Sequence, residues 1–150
     1  MTDRYHLSQI RSLADCNEFQ YLLLGDIRDL LEEPADEVTK KWLLTVLDVL
    51  IELMPQERRL HDRNGGYLAE VLEEFPGWNR LVMRLHLKKL HLDYSLRELR
   101  NRIRSGHLWT SQADQAGAEL KDWMKMFRDL HQAERSLIVK AMLLDVGAGG

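Results

Sequence analysis

Residues 127–141 read FRDLHQAERSLIVKA, and their apolar side chains recur at the spacing of an α-helix. At about 100° per residue, Phe127, Glu134 and Ile138 fall in one narrow stripe, with His131 just beside it. An amphipathic helix buries such a stripe against its neighbours. Because a buried carboxylate without a partner is costly, Glu134 requires a cation, a hydrogen-bond donor or a proton.

The same helical spacing extends over almost the whole chain, and the alternating pattern of β-strands is absent. Asp36 is the predicted N-cap of the second helix, and Pro55 is expected to kink or restart that helix. Short connections between long helices favour antiparallel neighbours, so the sequence predicts an all-α, up-down-up-down four-helix bundle. The four predicted helices span about 7–32, 36 onward through the proline, about 78–104 and about 111–144.

The third predicted helix carries a leucine-rich seam that runs from Leu81 to Ile103. Lys88 interrupts this seam near its edge, where a lysine can lay its stem along the core and lift its charge to water. His86 and His91 flank the seam on opposite sides, so their helical phase makes them boundary residues.

Length and composition narrow the class of protein. The 150 residues suit one domain, 1–150, with a flexible glycine-rich tail from about 146. The net charge of −3 argues against a nucleic-acid binder. No apolar run is long enough to span a membrane, and the N-terminal residues do not resemble a signal peptide. We therefore expect a cytoplasmic protein. Cys16 lies on the core stripe of the first helix and is predicted to be an inert buried thiol.

Further polar residues fall on a core stripe in the second helix. If the helical phase is carried past the proline, Glu57 and His61 continue the buried stripe and lie one turn apart. Three kinds of partner could satisfy Glu57 and Glu134: a metal ion, a buried pair with a histidine or with Arg58, or water. The Ser-His-Asp, phosphate-loop, CxxC and dinucleotide patterns are absent, so no enzyme is predicted.

Three stretches resemble the bacterial hemerythrin-like (HHE) domains: ERRLHDRNGGYLAEVLEEFP, LKKLHLDYSLREL and LHQAERSLIVKAMLLDVGAGG. The likeness spans about residues 10–150. It implies a four-helix bundle that binds two iron ions through histidines and carboxylates drawn from all four helices. It also implies that the protein binds oxygen or responds to oxygen and iron.

Position by position, the family pattern is matched only in part. His91 is similar to the family's third-helix histidine, and Glu134 is similar to its fourth-helix carboxylate. Leu130 stands where many relatives have histidine, and Phe19 takes the place of the first-helix histidine. A His-x-x-x-Glu pair of the relatives aligns near Arg58 and Asp62, with His61 close by.

Two functions therefore remain open. In the first, the protein binds non-haem iron, as a di-iron or single-metal site, binds O2, and senses or stores oxygen or iron. Its predicted metal ligands are Glu57, His61, His91, His131 and Glu134. In the second, the chain is a metal-free four-helix-bundle interaction scaffold that has lost the di-iron site. Glu134 is then held by His131, His61 or Arg58.

Overall fold

The structure is a computed structural model that describes residues 10–62, 71 and 73–149, with side chains for all of these except 62 and 145–149. The described residues form α-helices and one short 3-10 turn, and they contain no strand. The helices are α1 (Leu13–Glu32), α2 (Glu37–Asp62), α3 (Asn79–Ser105) and α4 (Trp109–Gly149), and the turn spans Pro76–Trp78. The predicted all-α class is confirmed.

The starts of α1 and α2 follow from capping side chains. Ser12 is the N-cap of α1, where its hydroxyl oxygen accepts from the Asp15 backbone N–H at 3.1 Å. The prediction of helix over residues 10–12 was therefore wrong, and the start near residue 7 lies outside the described residues. The predicted cap of α2 is confirmed, because the Thr39 N–H donates to Asp36 Oδ1 at 2.8 Å.

α2 runs without a break through Pro55 to Asp62, so the helix does not restart at the proline. The helical phase therefore carries through to the residues beyond it. Glu57 and His61, which lie past the proline, are buried as predicted.

The buried stripe of α3 differs from the predicted seam at residue 81 and otherwise contains its predicted members, Leu85, Leu92, Leu96, Leu99 and Ile103. Leu81 is 44% exposed and Lys88 is exposed, whereas Val82 and Lys89 are buried. The core positions of α3 advance in steps of three and four residues: Val82, Leu85, Lys89, Leu92, Leu96, Leu99 and Ile103. The larger leucine side chain at 81 suggested the wrong start, and the charge that enters the core belongs to Lys89.

Each helix packs on its neighbours in the chain: α1 on α2, α2 on α3 and α3 on α4, with α4 closing back on α1. The core between them is filled mainly by aliphatic side chains and two buried tryptophans, Trp109 and Trp123. The indole N–H of Trp123 donates to the Leu92 carbonyl at 2.9 Å, so its polar edge is satisfied inside the core. In the part of the chain that the structure describes, no helix is long and apolar enough to cross a bilayer.

Candidate functional site

Charged side chains from three helices meet inside the core. Glu57 and His61 come from α2, Lys89 from α3, and His131 and Glu134 from α4. We call these five residues the core charge cluster. The side chains of its members are between 2 and 9% exposed, although charged residues almost never lie so deep without partners.

Helical spacing explains why these residues meet. Glu57 and His61 are four residues apart on α2, and His131 and Glu134 are three apart on α4, so each pair shares one helix face. Lys89 occupies a core position of α3. The packing of apolar residues above and below therefore orients these side chains toward one another.

The Lys89 ammonium lies between the two carboxylates. Its Nζ is 3.0 Å from Glu134 Oε1 and 3.7 Å from Glu57 Oε1. At these distances and in surroundings of low polarity, the attraction is much stronger than that of a surface ion pair. Lys89 is thus the cation that keeps two buried carboxylates close together.

The imidazoles and one amide complete the arrangement. His131 Nε2 is 2.7 Å from Glu57 Oε1, and His61 Nε2 is 3.2 Å from Glu134 Oε2. Gln20 of α1, itself fully buried, donates from Nε2 to Glu57 Oε2 at 3.0 Å. All four helices therefore contribute a side chain to the cluster or its immediate contacts.

The surroundings of Glu57 stabilise its ionised form. Burial alone would raise the pKa of Glu57. The hydrogen bond from His131, the charge of Lys89 and the Gln20 amide outweigh that effect and lower the pKa to about 2. Glu57 is therefore a carboxylate at neutral pH, despite its burial.

The structure brings together four of the five predicted site residues. Glu57, His61, His131 and Glu134 all belong to the core charge cluster. His91 does not join them: its ring is exposed on α3 and lies 3.4 Å from Ser95 Oγ of the same helix. The likeness to the family's third-helix histidine had suggested an inward position, but the phase of α3 turns this residue outward.

Arg58, which was considered as a partner for Glu134, has a different role. Its guanidinium donates to Asp93 Oδ2 at 2.9 Å, and Arg97 donates to the other oxygen of the same carboxylate, also at 2.9 Å. Asp93 is buried and thus held by two arginines. This second ion-pair group joins α2 to α3, and Arg58 therefore pairs with Asp93 and not with Glu134.

Sequence reasoning missed Lys89 and Gln20. The signal for Lys89 was present, because residues 82, 85, 89, 92 and 96 follow the three-and-four spacing of a buried seam. Gln20 gave no comparable signal, since its partner Glu57 lies on another helix.

The cluster does not fit a di-iron centre. It offers two carboxylates and two imidazoles as ligands, and the Lys89 ammonium lies between the carboxylates, where it would repel a metal ion. Within residues 10–62, 71 and 73–149, no group of three or more His, Cys, Asp and Glu side chains is arranged to hold a metal. The side chain of Asp62, another predicted neighbour, lies outside the described part.

Comparisons with protein-family models, curated proteins and solved structures found no match to this chain.

The reactivity of the Cys16 thiol reports how well the core near the cluster excludes solvent and reagents. It is completely buried, with Sγ 3.9 Å from the Leu53 carbonyl oxygen. Burial, and secondarily the charge of Glu57, raises the pKa of the Cys16 thiol to about 12. We expect a disulfide reagent at pH 8 to label the native protein far more slowly than the protein unfolded in guanidinium, where this single cysteine reacts fully. Rapid stoichiometric labelling with intact helical circular dichroism would contradict a closed core.

Proposed function

We propose that this chain is a metal-independent, up-down-up-down helical bundle of the hemerythrin-like type, a cytoplasmic interaction scaffold and not an enzyme. The observation that carries the proposal is the position of Lys89. Its ammonium supplies the positive charge that two inward carboxylates need. In such a bundle, the buried ion network stabilises one arrangement of the four helices.

An ammonium and a metal ion are alternative solutions to the same electrostatic problem. Two carboxylates close together in a core repel each other unless a cation lies between them. A lysine provides that cation permanently, because it is covalently part of α3. The cluster thus keeps the inward carboxylates and imidazoles that the family resemblance predicts while it removes the need for iron.

The surface of α3 supports the role of a scaffold. Met83, Leu87, Leu90 and Tyr94 follow one another in steps of four, three and four residues, and each is 40 to 66% exposed. This spacing forms a single row along a helix and is the pattern by which helices pack in coiled coils. The row lies on the side of α3 opposite its buried stripe.

Charges beside this row indicate what kind of partner it binds. Arg80 and Arg84 lie three residues before Met83 and Leu87 of the row, and both are exposed. No ion pair between described residues involves either of them. An amphipathic helix with acidic residues beside its apolar row complements both features, so we propose that such a helix is the partner.

Whether the protein binds a metal ion is tested on the wild-type protein. We expect protein expressed in iron-rich medium and purified without chelators to contain far less than one metal ion per chain. Its melting temperature should not change on addition of a chelator, because no bound metal contributes to stability. Stoichiometric iron with oxo-bridge absorption, lost together with stability on chelation, would overturn the proposal.

The docking surface is tested with a designed helical peptide that carries a leucine row flanked by glutamates. We expect saturable binding by fluorescence anisotropy, weakened about tenfold by Leu87→Gln with Leu90→Gln. Leu143→Gln, which changes an exposed leucine on α4, is the control and should leave affinity unchanged. Equal binding of a peptide with lysines in place of the glutamates would refute the charge argument.

A further inference from the structure

A groove with a volume of about 750 Å³ runs along the outer side of α4, next to the core charge cluster. Tyr21 of α1 forms one wall, and residues 128–143 of α4 supply the rest. His131 belongs to both the groove and the cluster, because its ring lines the groove while its Nε2 contacts Glu57.

The charged groups that line this groove are all basic. Arg128, Arg135 and Lys140 are exposed there, and the lining contains no carboxylate. No ion pair between described residues involves the two arginines. Lys140 Nζ lies 5.8 Å from the centre of the Trp78 ring and interacts with its face. The two arginines are therefore the cations most available to a ligand in the groove.

His131 adds a largely buried imidazole to the lining of the groove. Its side chain is 91% buried, since 9% is exposed, and its Nδ1 has no hydrogen-bond partner among the described residues. The ring is held by Phe127, with ring centres 4.1 Å apart, and by Tyr21 at 5.7 Å. Because Arg128, His131 and Arg135 are separated by three and four residues, they share one face of α4.

The remaining walls are apolar. Val139 and Leu143 are exposed at one end of the groove, beyond Arg135 along α4. The aromatic ring of Tyr21 faces the same space. Burial raises the pKa of the Tyr21 phenol, and the charge of Arg135, which lines the same groove, opposes this effect.

We propose that this groove binds a small organic anion. Its charged group, a carboxylate in the simplest case, lies against His131 between Arg128 and Arg135. Its apolar part contacts Val139 and Leu143. The site is independent of the helix-docking row on α3, so either proposal can fail without the other.

Octanoate is a suitable probe because it combines one carboxylate with an apolar chain. We expect saturable changes in the NMR spectrum of the His131 ring on titration of the full chain with octanoate. The ring of His107, which is exposed outside the groove, serves as the internal control. The uncharged analogue 1-octanol should bind much more weakly, because it cannot pair with the arginines.

Substitutions locate the binding site. Arg128→Gln and Arg135→Gln should each weaken octanoate binding about fivefold, since each removes one charge beside the carboxylate. Lys125→Gln removes the same charge from an exposed position of α4 outside the groove and should leave affinity unchanged. Equal binding of 1-octanol, equal weakening by Lys125→Gln, or a spectrum that does not saturate would overturn the proposal.

Discussion

Replacing Lys89 by methionine is expected to lower the free energy of unfolding by about 3–5 kcal/mol, the range for breaking a buried ion pair by removing one partner. Methionine has similar length and is apolar, so the change removes mainly the charge. Lys88→Met is the matched control: the same substitution one residue earlier, at an exposed position, should cost less than about 0.5 kcal/mol. Guanidinium unfolding followed by far-ultraviolet circular dichroism measures both values.

The charge balance of the cluster makes a sharper test possible. Lys89 faces two carboxylates, so its loss leaves both Glu57 and Glu134 without their cation. Glu134→Gln instead leaves one carboxylate facing one ammonium, and it should cost only about 1 kcal/mol. The double variant should lose less unfolding free energy than the two single variants lose together, and the difference should be about 2 kcal/mol.

Two outcomes would contradict this account. If Lys89→Met were as stable as Lys88→Met, the ammonium would not be part of the buried network. If the effects of Lys89→Met and Glu134→Gln were additive, the two groups would not interact, despite the separation of 3.0 Å.

Much of the fold could be predicted from the sequence, because each helix carries its own periodic pattern. The period indicates which residues are helical, and a capping residue such as Asp36 indicates where a helix starts. Even the passage through Pro55 kept its helical phase, so the inward positions of Glu57 and His61 were predictable. Helix ends were less predictable: α4 continues through Gly149, beyond the predicted end near residue 144.

The burial of two positions in α3, 81 and 89, was harder to predict, because amino-acid type and spacing gave different answers. A leucine at 81 and a lysine at 89 suggest the opposite of what the packing produces, which is an exposed Leu81 and a buried Lys89. Lysine is rarely buried without a partner, and its partners here, Glu57 and Glu134, lie on two other helices. Single-helix patterns contain no information about such contacts.

The candidate site, like the fold, could be predicted from the sequence only in part. The inward phases of Glu134 and Glu57 identified two buried carboxylates that needed partners, and this need was inferred correctly from desolvation. The nature of the partner depended on which residue of α3 faces inward, since His91 would have suggested a metal and Lys89 provides a charge of its own. The identity of the polar residue that α3 directs inward therefore decides between the metal-binding and the metal-free function.

Acid should remove a large part of the stability of the protein. The folded-state pKa of Glu57 is about 2, below its ordinary value of 4.5, so its ionisation favours the folded state. This contribution is complete above about pH 4.5 and is lost as the pH falls toward 2, because the unfolded chain then binds the proton first. The difference corresponds to a loss on the order of 3 kcal/mol. Unfolding free energies measured between pH 7 and pH 2.5 at constant ionic strength should show it.

The contribution of Glu57 can be separated from that of the surface carboxylates with Glu57→Gln. This variant keeps Glu134 as the partner of Lys89, so the core retains one balanced pair. It is less stable than the wild type at pH 7, but its stability should fall less steeply between pH 4.5 and 2, where Glu57 titrates. Parallel pH profiles for the two proteins would show that Glu57 is not held as a carboxylate by His131 and Lys89. Converging profiles would show that acid acts on the cluster itself, where the buried carboxylate of Glu57 depends on both an imidazole and an ammonium.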